Sequence, residues 1–361
     1  MIIDLPWQGR DVPCAVLDII RGCNARCAFC YNQDRPHVKP FGEVESEMDV
    51  LLGLRRLQAL MISGGEPLLH PDIVRIVRAA KSRGVTVILL TNGILLDDAM
   101  CAALKGADCD LCYLHVQTGQ QRSDLADAED RAAATELLRR KAVVLVRHGI
   151  RAGCCFTLRD DDRDGIAREA AAYFGIPELT NVLFTTARSP DDFLKPDFPD
   201  MPIDELLARF AALGLVPFAS LSGKIDKSRR RWFSFQVVES RRADGSVRTR
   251  RCLRASYGEL FAMKVQRWLR GHYDFTLPPM SSAMLRLRLV LNALTGGSPG
   301  ALKQALDFRS SLVHRNLALD VPPYRRKDGR IEYCEDCPGA ILKDGRLRPL
   351  CLSDIEWDGE R

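Results

Sequence analysis

Three cysteines near the start of the chain, Cys23, Cys27 and Cys30, have the spacing of a metal-binding loop. They follow an apolar stretch, residues 15–20, that is typical of a strand, so one short loop carries all three thiols. Three thiolates on one loop can bind three irons of a [4Fe-4S] cluster and leave the fourth iron open to a small molecule. The alternative is a structural zinc loop, although zinc sites usually combine two Cys or His pairs and this loop holds no His and no fourth Cys.

The next two predicted strands also end in short motifs that suit ligand binding. Residues 63–67 are Ser-Gly-Gly-Glu-Pro, and residues 91–93 are Thr-Asn-Gly. Two glycines after a strand let the backbone approach a ligand closely, the glutamate can accept a hydrogen bond from an ammonium, and the proline fixes the turn. Alone, such a run is often only a tight loop. Behind a three-cysteine loop it favours a ligand-binding site.

The three motifs, in this order and at strand ends, resemble those of the radical S-adenosylmethionine (SAM) enzymes. The signature of that family is C-x3-C-x2-C with an aromatic residue before the last cysteine, here Phe29. The resemblance implies that the open iron binds the amine and carboxylate of SAM. It also implies that one electron, from a reductant such as flavodoxin or ferredoxin, cleaves SAM to methionine and a 5′-deoxyadenosyl radical. The positions implied for SAM binding are Gly64, Gly65, Glu66, Pro67, Thr91, Asn92, His115 and Gln117.

Weaker candidates for adenosine or substrate contacts follow the later predicted strands. His115 and Gln117 come after the fourth strand. A histidine that only forms hydrogen bonds with neighbouring residues of the protein is an equally good interpretation of His115. The other polar residues at these strand ends are Thr118, Arg159, Asp160, Thr185, Thr186 and Arg188. Five further cysteines are expected to be buried small apolar side chains rather than ligands, namely Cys101, Cys109, Cys112, Cys154 and Cys155.

Strand-like and helix-like patterns alternate from residue 14 to about residue 215, which predicts a parallel sheet covered by helices. The predicted strands are residues 15–20, 59–63, 85–90, 111–116, 152–158 and 182–186. The predicted helices are residues 43–54, 71–83, 97–104, 126–148 and 165–174. Six such units match the α/β core of the radical SAM enzymes, a partial (β/α)6 TIM-like barrel with its chemistry at the C-terminal strand ends.

A second cysteine group, Cys334, Cys337 and Cys351, lies near the C-terminus. Asp344-Gly345 between apolar residues predicts a hairpin whose returning strand brings Cys351 beside the Cys-x2-Cys pair. The spacing resembles the second cluster of the molybdenum-cofactor GTP cyclase family and, more broadly, the twitch auxiliary-cluster domain, which implies a second [4Fe-4S] cluster. Zinc is the competing occupant, with Cys252 or an Asp or Glu as fourth ligand. Cys252 is a candidate because it follows a predicted hairpin, residues 233–251, with Asp244-Gly245 at its turn.

The resemblance to the GTP cyclase family has a limit. Relatives of that cyclase follow the cysteine pair with an Asn-Arg-rich run and end in a Gly-Gly tail, whereas here Pro338 follows and the sequence ends at Arg361. GTP is therefore not the expected substrate. The predicted division of the chain is a radical SAM core barrel (1–215), a basic hairpin and helical segment (216–330), and a smaller C-terminal α+β auxiliary-cluster motif (331–361).

Composition predicts a cytoplasmic enzyme with a sizeable core. The chain has 361 residues, of which 46% are hydrophobic and 27% are charged, and these values argue against a disordered protein. No stretch reads as a membrane span, and residues 1–12 do not resemble a signal peptide. Thirteen cysteines in such a chain favour metal ligands and buried thiols over disulfides.

Positive charge is concentrated in residues 222–254, which hold 11 Lys or Arg against three acids, although the net charge of the whole chain is only +5. This segment could attract a phosphorylated substrate, an acidic peptide leader, an anionic membrane surface or nucleic acid, or be a solvated hairpin. Residues 257–270 and 281–293 are predicted to form apolar helices with repeated arginines. Such helices could lie at an interface, form a hydrophobic lid over a substrate, or simply pack on the barrel.

Two classes of function follow from these features. The first is a radical SAM enzyme that abstracts hydrogen from a peptide or a small molecule, including a lipid or a phosphorylated nucleotide-like molecule, with a second cluster assisting. The second is a non-catalytic iron-sulfur or zinc protein that binds nucleic acid or a partner. The Glu66 loop and the six-unit barrel favour the first class.

Overall fold

The computed structural model describes residues 1–28, 30, 32, 37–158, 164–186, 202–298 and 300–353. Its strands are β1 (Ile3–Asp4), β2 (Cys14–Ile20), β3 (Arg26–Cys27), β4 (Ala59–Gly64), β5 (Thr86–Thr91), β6 (Leu111–Leu114), β7 (Gln120–Gln121), β8 (Arg151–Leu158), β9 (Leu179–Thr186), β10 (Ala219–Ser222), β11 (Arg230–Arg241), β12 (Val247–Leu253), β13 (Ser311–Asp320), β14 (Tyr324–Arg325), β15 (Ile331–Glu332), β16 (Ala340–Lys343) and β17 (Arg346–Pro349). Its α-helices are α1 (Phe41–Leu54), α2 (Ile73–Ser82), α3 (Asp98–Gly106), α4 (Arg131–Arg147), α5 (Gly165–Gly175), α6 (Ile203–Ala212), α7 (Tyr257–Arg270), α8 (Ser282–Leu294) and α9 (Ala301–Ala305).

Six parallel strands form the first half of the main sheet, in the order β9-β8-β6-β5-β4-β2. Strands β2 and β6 are buried on both faces, as expected where helices connect neighbouring parallel strands. Asp97 and Asp130 begin α3 and α4 by accepting hydrogen bonds from the amides of Met100 and Ala133. The predicted six-unit α/β core is confirmed, and in the described residues the sheet is open beyond β2.

The sheet does not stop at β9, because β13 pairs with it in parallel, with Leu317 opposite Val182. Strand β11 follows antiparallel to β13 and carries β12 and β10 on its other side, and β1 completes the order beside β10. Phe210 stacks on Phe235 with 5.0 Å between ring centroids, so the same core continues across this junction. The strands of residues 216–330 thus extend the sheet of the predicted core barrel, while the exact domain boundaries stay a prediction.

The basic segment forms the hairpin β11–β12, with Gly245 at its turn, as predicted. Much of its charge is paired. Glu239, fully buried, accepts from Arg241, Arg250 and Arg315. Four more basic residues of the segment form ion pairs with Asp or Glu, namely Lys227, Arg229, Arg230 and Arg248. The hairpin therefore uses many of its cations to hold the fold together.

The segment between α7 and α8 lies across the N-terminal ends of two core strands. The amides of Phe275 and Thr276 donate to Gln58 Oε1, just before β4, and Arg151 at the start of β8 donates to the carbonyl of Leu277. These contacts attach the helix pair to the end of the sheet opposite the three motifs.

In the part of the chain that the structure describes, no helix is both long and apolar enough to cross a membrane.

The second cysteine group lies around the hairpin β16–β17, which turns at Asp344 (φ 52°) and Gly345 (φ 74°). Both residues are left-handed, as a two-residue turn of this kind requires, and the predicted hairpin is confirmed. Ile341 packs against Cys14 and Val16 of β2, on the face of the sheet that helices α1 to α5 leave free. The cysteines that are buried as predicted are Cys101, Cys109, Cys112 and Cys154, and Cys155 is half-buried.

Candidate cofactor and metal-binding site

The loop of Cys23, Cys27 and Cys30 is held at the C-terminal end of β2 by a short strand pair. Cys27 lies in β3, opposite Gln120 of β7, and the amide of Ala28 donates to the carbonyl of Gly119. Cys23 and Cys30 are exposed, and Cys27 is half-buried. The thiols therefore sit on a loop that is fixed on one side and open on the other, which suits a bound group that needs a free face. Phe29 lies outside the described residues.

Gly64 and Gly65 let two backbone segments of the protein itself come together. A Cβ on Gly64, whose φ is +149°, would lie 2.1 Å from the carbonyl oxygen of Ile20, and one on Gly65 would lie 2.3 Å from that of Gly22. The amides of Gly65 and Glu66 donate to the carbonyls of Ile20 and Gly22. The sequence predicted close approach to a ligand. The structure shows that the close partner is the start of the cysteine loop, which these glycines position.

Glu66 lies beneath this surface and joins the two motifs. Its carboxylate, fully buried, accepts from the Leu68 amide, from Thr91 Oγ1 (2.7 Å) and from the Asn92 amide (2.7 Å). Burial raises the pKa of Glu66, while these hydrogen bonds act in the opposite direction. Pro67 begins the short 3-10 turn that follows. The structure thus gives Glu66 a positioning contact, and a direct bond from Glu66 to the ammonium of SAM stays a prediction.

Asn92 connects the second motif to the cysteine loop. Its Nδ2 donates to Asn24 Oδ1 (2.8 Å) and lies 3.7 Å from Cys23 Sγ, and its Oδ1 accepts from the Ile94 amide. A ribose contact was the sequence-based expectation for Asn92. The structure places the side chain against Asn24 and Cys23, so the ribose contact remains a prediction.

Arg122 and Gln120 also shape the site, and the sequence analysis missed both. The buried Arg122 guanidinium donates to the carbonyls of Asn92 and His115 and pairs with Asp124 at 2.6 Å. Gln120 is fully buried opposite Cys27. The only available signal was an Arg two residues before an Asp in a loop after the fourth strand, and such pairs are common on surfaces.

The surroundings of Cys27 fit a bound metal cluster. Burial and the neighbouring thiols of Cys30 and Cys23 raise the pKa of Cys27 to about 12, while Gln120 and Arg122 act in the opposite direction. Gln120 Nε2 is buried and makes no hydrogen bond of normal geometry within the described chain. Three thiols on one loop with a spare donor beside them suit a metal centre that deprotonates the thiols and supplies a sulfur acceptor. The residues present therefore fit a [4Fe-4S] cluster.

His115 and Gln117 lie at the end of β6, where the sequence placed them. Burial lowers the pKa of His115 to about 4, so its ring is neutral at neutral pH, and Nε2 lies 3.4 Å from Thr157 Oγ1. The Gln117 amide is bonded in both directions to the backbone of Thr157. Thr185 continues this polar row by donating to Thr157. Contacts of His115 and Gln117 with SAM stay predictions, and Arg159, Asp160 and Arg188 lie outside the described residues.

The second cysteine group is gathered in one place, and Asp320 at the end of β13 joins it. Cys334 and Cys337 are buried. The Cys337 thiol and burial raise the pKa of Cys334, and burial and the Cys337 thiol raise the pKa of Cys351. Cys334 Sγ lies 3.8 Å from Asp320 Oδ1, and burial raises the pKa of Asp320 to about 6. Three thiols and a carboxylate are a donor set that either iron or zinc accepts.

Cys252 is not brought to this group. It lies in β12 opposite Val237, and its thiol donates to the carbonyl of Val216. Asp320 is opposite Trp232, five residues further along β11, which corresponds to roughly 16 Å of strand. The sequence offered Cys252 as a fourth ligand because it follows a predicted hairpin, but β12 pairs with residues 236–241 of β11, away from the second cysteine group. Of the fourth ligands that the sequence offered, an acidic residue is the one near the second cysteine group, namely Asp320.

Arg55 links the second group to the first core strand. Its buried Nη1 donates to the carbonyls of Cys14 (2.7 Å) and Cys337 (3.0 Å).

Among the described residues, no three His, Cys, Asp or Glu side chains are drawn together as tightly as around a single metal ion. A four-iron cluster is wider than one ion, so thiols set further apart are compatible with it.

Comparison with known proteins agrees with this site. The family model of the radical SAM superfamily matches residues 17–158. Among curated relatives, GTP 3′,8-cyclase from Chlorobaculum tepidum is 36% identical over 156 residues, which is 39% of this chain and 47% of the cyclase. PqqA peptide cyclase from Ruegeria pomeroyi is 35% identical over 132 residues, which is 34% of each chain. The chain thus spans less than half the length of these relatives.

Solved structures of similar shape include SuiB from Streptococcus suis bound to S-adenosylmethionine. That match has a TM-score of 0.38 and 16% identity, and it covers 50% of this chain and 42% of SuiB. The match to the superfamily model includes the three-cysteine loop, the Gly-Gly-Glu-Pro motif and the Thr-Asn-Gly motif. Residues 17–158 of this chain are therefore a domain of the radical SAM superfamily, whose members use a [4Fe-4S] cluster and SAM.

Proposed function

We propose that this protein is an enzyme that reductively cleaves SAM and abstracts a hydrogen atom from an organic substrate, assisted by a second iron-sulfur cluster. The observation that carries the proposal is the docking of the three-cysteine loop onto the Gly64-Gly65 backbone and onto Asn92. This contact joins the cysteine loop and both glycine-containing motifs in one rigid unit at the C-terminal strand ends. Enzymes of the parallel α/β class bind their substrates at this edge.

In the proposed enzyme, Cys23, Cys27 and Cys30 hold the first cluster. When bound, the cluster supplies the electron that cleaves SAM to methionine and a 5′-deoxyadenosyl radical, which takes a hydrogen atom from the substrate. Asn92 Nδ2 beside Cys23 and Gln120 Nε2 beside Cys27 are placed to donate to sulfur. Such donors stabilise the reduced, more negative form of a cluster, so these two residues set its reduction potential.

Cys334, Cys337 and Cys351 hold the second cluster, and Asp320 supplies the fourth donor. The support for this assignment is that the half-buried carboxylate lies 3.8 Å from Cys334 Sγ and also raises the pKa of Cys351. A four-donor site would close the cluster to substrate, so its role would be structural or in electron transfer. A site in which Asp320 dissociates would leave one iron open to substrate.

The test of the first site is anaerobic reconstitution followed by reduction with dithionite in the presence of SAM. We expect 5′-deoxyadenosine to form and about eight irons per chain to bind. The triple variant of Cys23, Cys27 and Cys30 to Ala should bind about four irons and make no 5′-deoxyadenosine. Cys252→Ala is the matched control, because it removes a half-buried thiol from outside both groups. Product formation by the triple variant at the wild-type rate would refute the proposal.

The second site is tested in the triple-variant background, where only its own metal remains. Iron with an iron-sulfur electron paramagnetic resonance signal is expected, and Asp320→Ala should change the shape of that signal. The Cys252→Ala substitution in the same background should leave the signal unchanged. Zinc in place of the residual iron would remove the second cluster from the proposal and leave the SAM cleavage intact.

A further inference from the structure

A large cavity connects the second cysteine group to the helix pair α7–α8. Its volume is about 420 Å³, within the range of ligand pockets. Core strand residues such as Met61, Leu90 and Tyr113 line the cavity, and so do Asp320 and Cys337 of the second cysteine group's surroundings. Helices α7 and α8 also line it. A molecule in this cavity would extend from the helix pair to the second cysteine group.

The cavity is lined mostly by apolar and aromatic side chains. Trp7 packs against Trp232 and Phe275, with ring centroids 5.7 and 6.0 Å apart, and methionines from α7 and α8 complete the apolar wall. On β11 and β13, the polar groups of Gln236 and Asn316 are bonded to each other at 2.8 Å. Most of this lining therefore offers a ligand hydrophobic contact and few free polar partners.

Several of the polar groups that line the cavity lie on the helix pair or on the segment that joins the two helices. Arg288, the only cationic residue among those described around the cavity, is paired with Glu259 at 3.0 Å. A neutralised pair of this kind does not favour a phosphorylated nucleotide. Arg288 Nη1, Gln266 Nε2 and Thr276 Oγ1 are nevertheless buried without hydrogen-bond partners among the described residues. Three spare donors suit an oxygen acceptor, such as the carbonyl of an ester or a carboxylic acid, at the end of an apolar chain.

The outer faces of the same helices are apolar and exposed. Phe261 and Trp268 of α7 are 69% and 80% exposed, and Leu287 and Leu291 of α8 are 61% and 52% exposed. Leu287 and Leu291 also line the cavity. The exposed surface and the cavity are therefore continuous, and a patch of this kind on a protein surface marks a binding face.

The exposed charges on this part of the chain have one sign. Within residues 257–298 and 300–309, the exposed charged side chains are Lys264, Arg270, Lys303 and Arg309, and no acidic residue there is exposed. Aromatic and leucine side chains beside Lys and Arg are the composition of helices that lie in the headgroup layer of a bilayer. Basic residues near a surface are attracted to anionic lipids.

We propose that helices α7 and α8 lie on an anionic phospholipid bilayer and that the cavity takes its substrate from there, a lipid with a long apolar chain and a carbonyl-type acceptor. The acceptor group meets Arg288, Gln266 and Thr276, and the chain extends toward Asp320 and Cys337. This inference rests on the proposed function, since it assigns the substrate class of the same enzyme. It accounts at once for the exposed apolar helices, for their uniform charge and for the cavity behind them.

Membrane docking is tested by co-sedimentation of the full chain with vesicles of phosphatidylcholine containing phosphatidylglycerol, without SAM or reductant. We expect binding that weakens at least tenfold in pure phosphatidylcholine vesicles, and a blue shift of Trp268 fluorescence on binding. Leu287→Glu with Leu291→Glu should abolish both effects. Leu213→Glu is the matched control, because Leu213 is an exposed leucine on another face and its variant should bind like wild type. Equal binding by the Leu287/Leu291 double variant, or no binding by the wild type, would overturn the docking face.

Occupancy of the cavity is tested with cis-parinaric acid, a fluorescent fatty acid. We expect saturable binding of one molecule per chain, loss of binding in Ala318→Phe, which fills the cavity, and at least a fivefold weaker affinity in Arg288→Leu. Thermal unfolding of each variant shows whether it is folded. Displacement of the probe by GTP, or full binding by a folded Ala318→Phe variant, would overturn the lipid assignment.

These measurements separate the two proposals. Formation of 5′-deoxyadenosine without vesicle or fatty-acid binding would refute the lipid inference and leave the enzyme proposal standing. Vesicle and fatty-acid binding without 5′-deoxyadenosine would support a lipid-binding protein and refute the enzyme proposal. Self-association through α7 and α8, detected by light scattering without vesicles and abolished by the Leu287/Leu291 double variant, would also count against membrane docking.

Discussion

At the residue scale, the glycines behind the cysteine loop show how a motif can be identified correctly and interpreted incompletely. The sequence correctly marked Gly64 and Gly65 as positions where a side chain is not tolerated. It could not show that the neighbouring atoms are the carbonyl oxygens of Ile20 and Gly22, because that contact depends on the pairing of β2 with β4. Close approach is encoded locally, whereas the identity of the approaching partner is set by the tertiary fold.

We predict that Gly65→Ala disrupts the first metal site. The new Cβ would lie 2.3 Å from a backbone carbonyl, so the cysteine loop must shift. The expected results are a loss of the iron bound by the first group and a free energy of unfolding lower by about 1–3 kcal/mol. Gly53→Ala is the control, because a Cβ at this exposed helical glycine meets nothing within 4 Å. Wild-type iron content in Gly65→Ala would show that the loop tolerates the displacement.

We also predict that His115 makes stability depend on pH. Its pKa is lowered to about 4 in the folded protein, whereas an unfolded histidine titrates near its ordinary value of about 6.5. Between these values only the unfolded chain gains the proton, so the stability of the folded state falls as the pH is lowered through this range. Chemical denaturation at about pH 7 and about pH 5 should give a smaller difference in His115→Asn than in wild type. An identical difference in both proteins would assign the pH dependence to other groups.

At the scale of secondary-structure elements, hairpins were predictable because their turns have strict requirements. Asp244-Gly245 and Asp344-Gly345 both mark turns that the structure contains. What the sequence did not reveal is the length of pairing beyond each turn. Cys252 therefore lies away from the second cysteine group, while Asp320, on a strand far away in the sequence, lies within it.

We predict that Gly345→Val impairs metal binding by the second group. Gly345 has φ 74°, which a β-branched residue adopts only with strain of about 1–2 kcal/mol or more, and the strand after it leads to Cys351. In the background that lacks the first three cysteines, bound metal should fall well below that of the parent. Gly245→Val carries the same strain, at φ 82°, in a hairpin that does not lead to a proposed ligand. Equal metal loss in both variants would indicate general unfolding rather than a local effect.

At the scale of the whole molecule, the core barrel and the following segment share one sheet and one hydrophobic core. The six-unit core was predictable because neighbouring units pair in chain order. The pairing of β9 with β13 was not, because residues 182 and 317 are far apart in sequence and no periodicity reports such a contact. The role of the positive charge in residues 222–254 was not predictable for the same reason, since Glu239 and several surface acids neutralise many of these cations through contacts distant in sequence.

We predict that residues 1–215 do not fold as an independent unit. Without β13 the edge of β9 is left unpaired, and Phe210 loses the ring of Phe235 on which it stacks. The expected result is a fragment that aggregates or unfolds without a cooperative transition, measured by size-exclusion chromatography and thermal circular dichroism. The full chain is the control. A monomeric fragment with a cooperative transition would show that the predicted boundary at residue 215 is a real domain border.

The position of β1 in this sheet has a consequence for the order of folding. Ile3 pairs with Ala219, Trp7 packs against Trp232, and the amide of Gly9 donates to Asp336. Each of these contacts joins residues that are far apart in the sequence. The entropic cost of closing such a long chain loop falls once the intervening strands have assembled, so these contacts are expected to form after them. The N-terminal segment is therefore expected to join last and to leave first. Because Trp7 lines the cavity for which we propose a lipid substrate, opening of that segment would uncover the cavity while the six parallel strands stay folded.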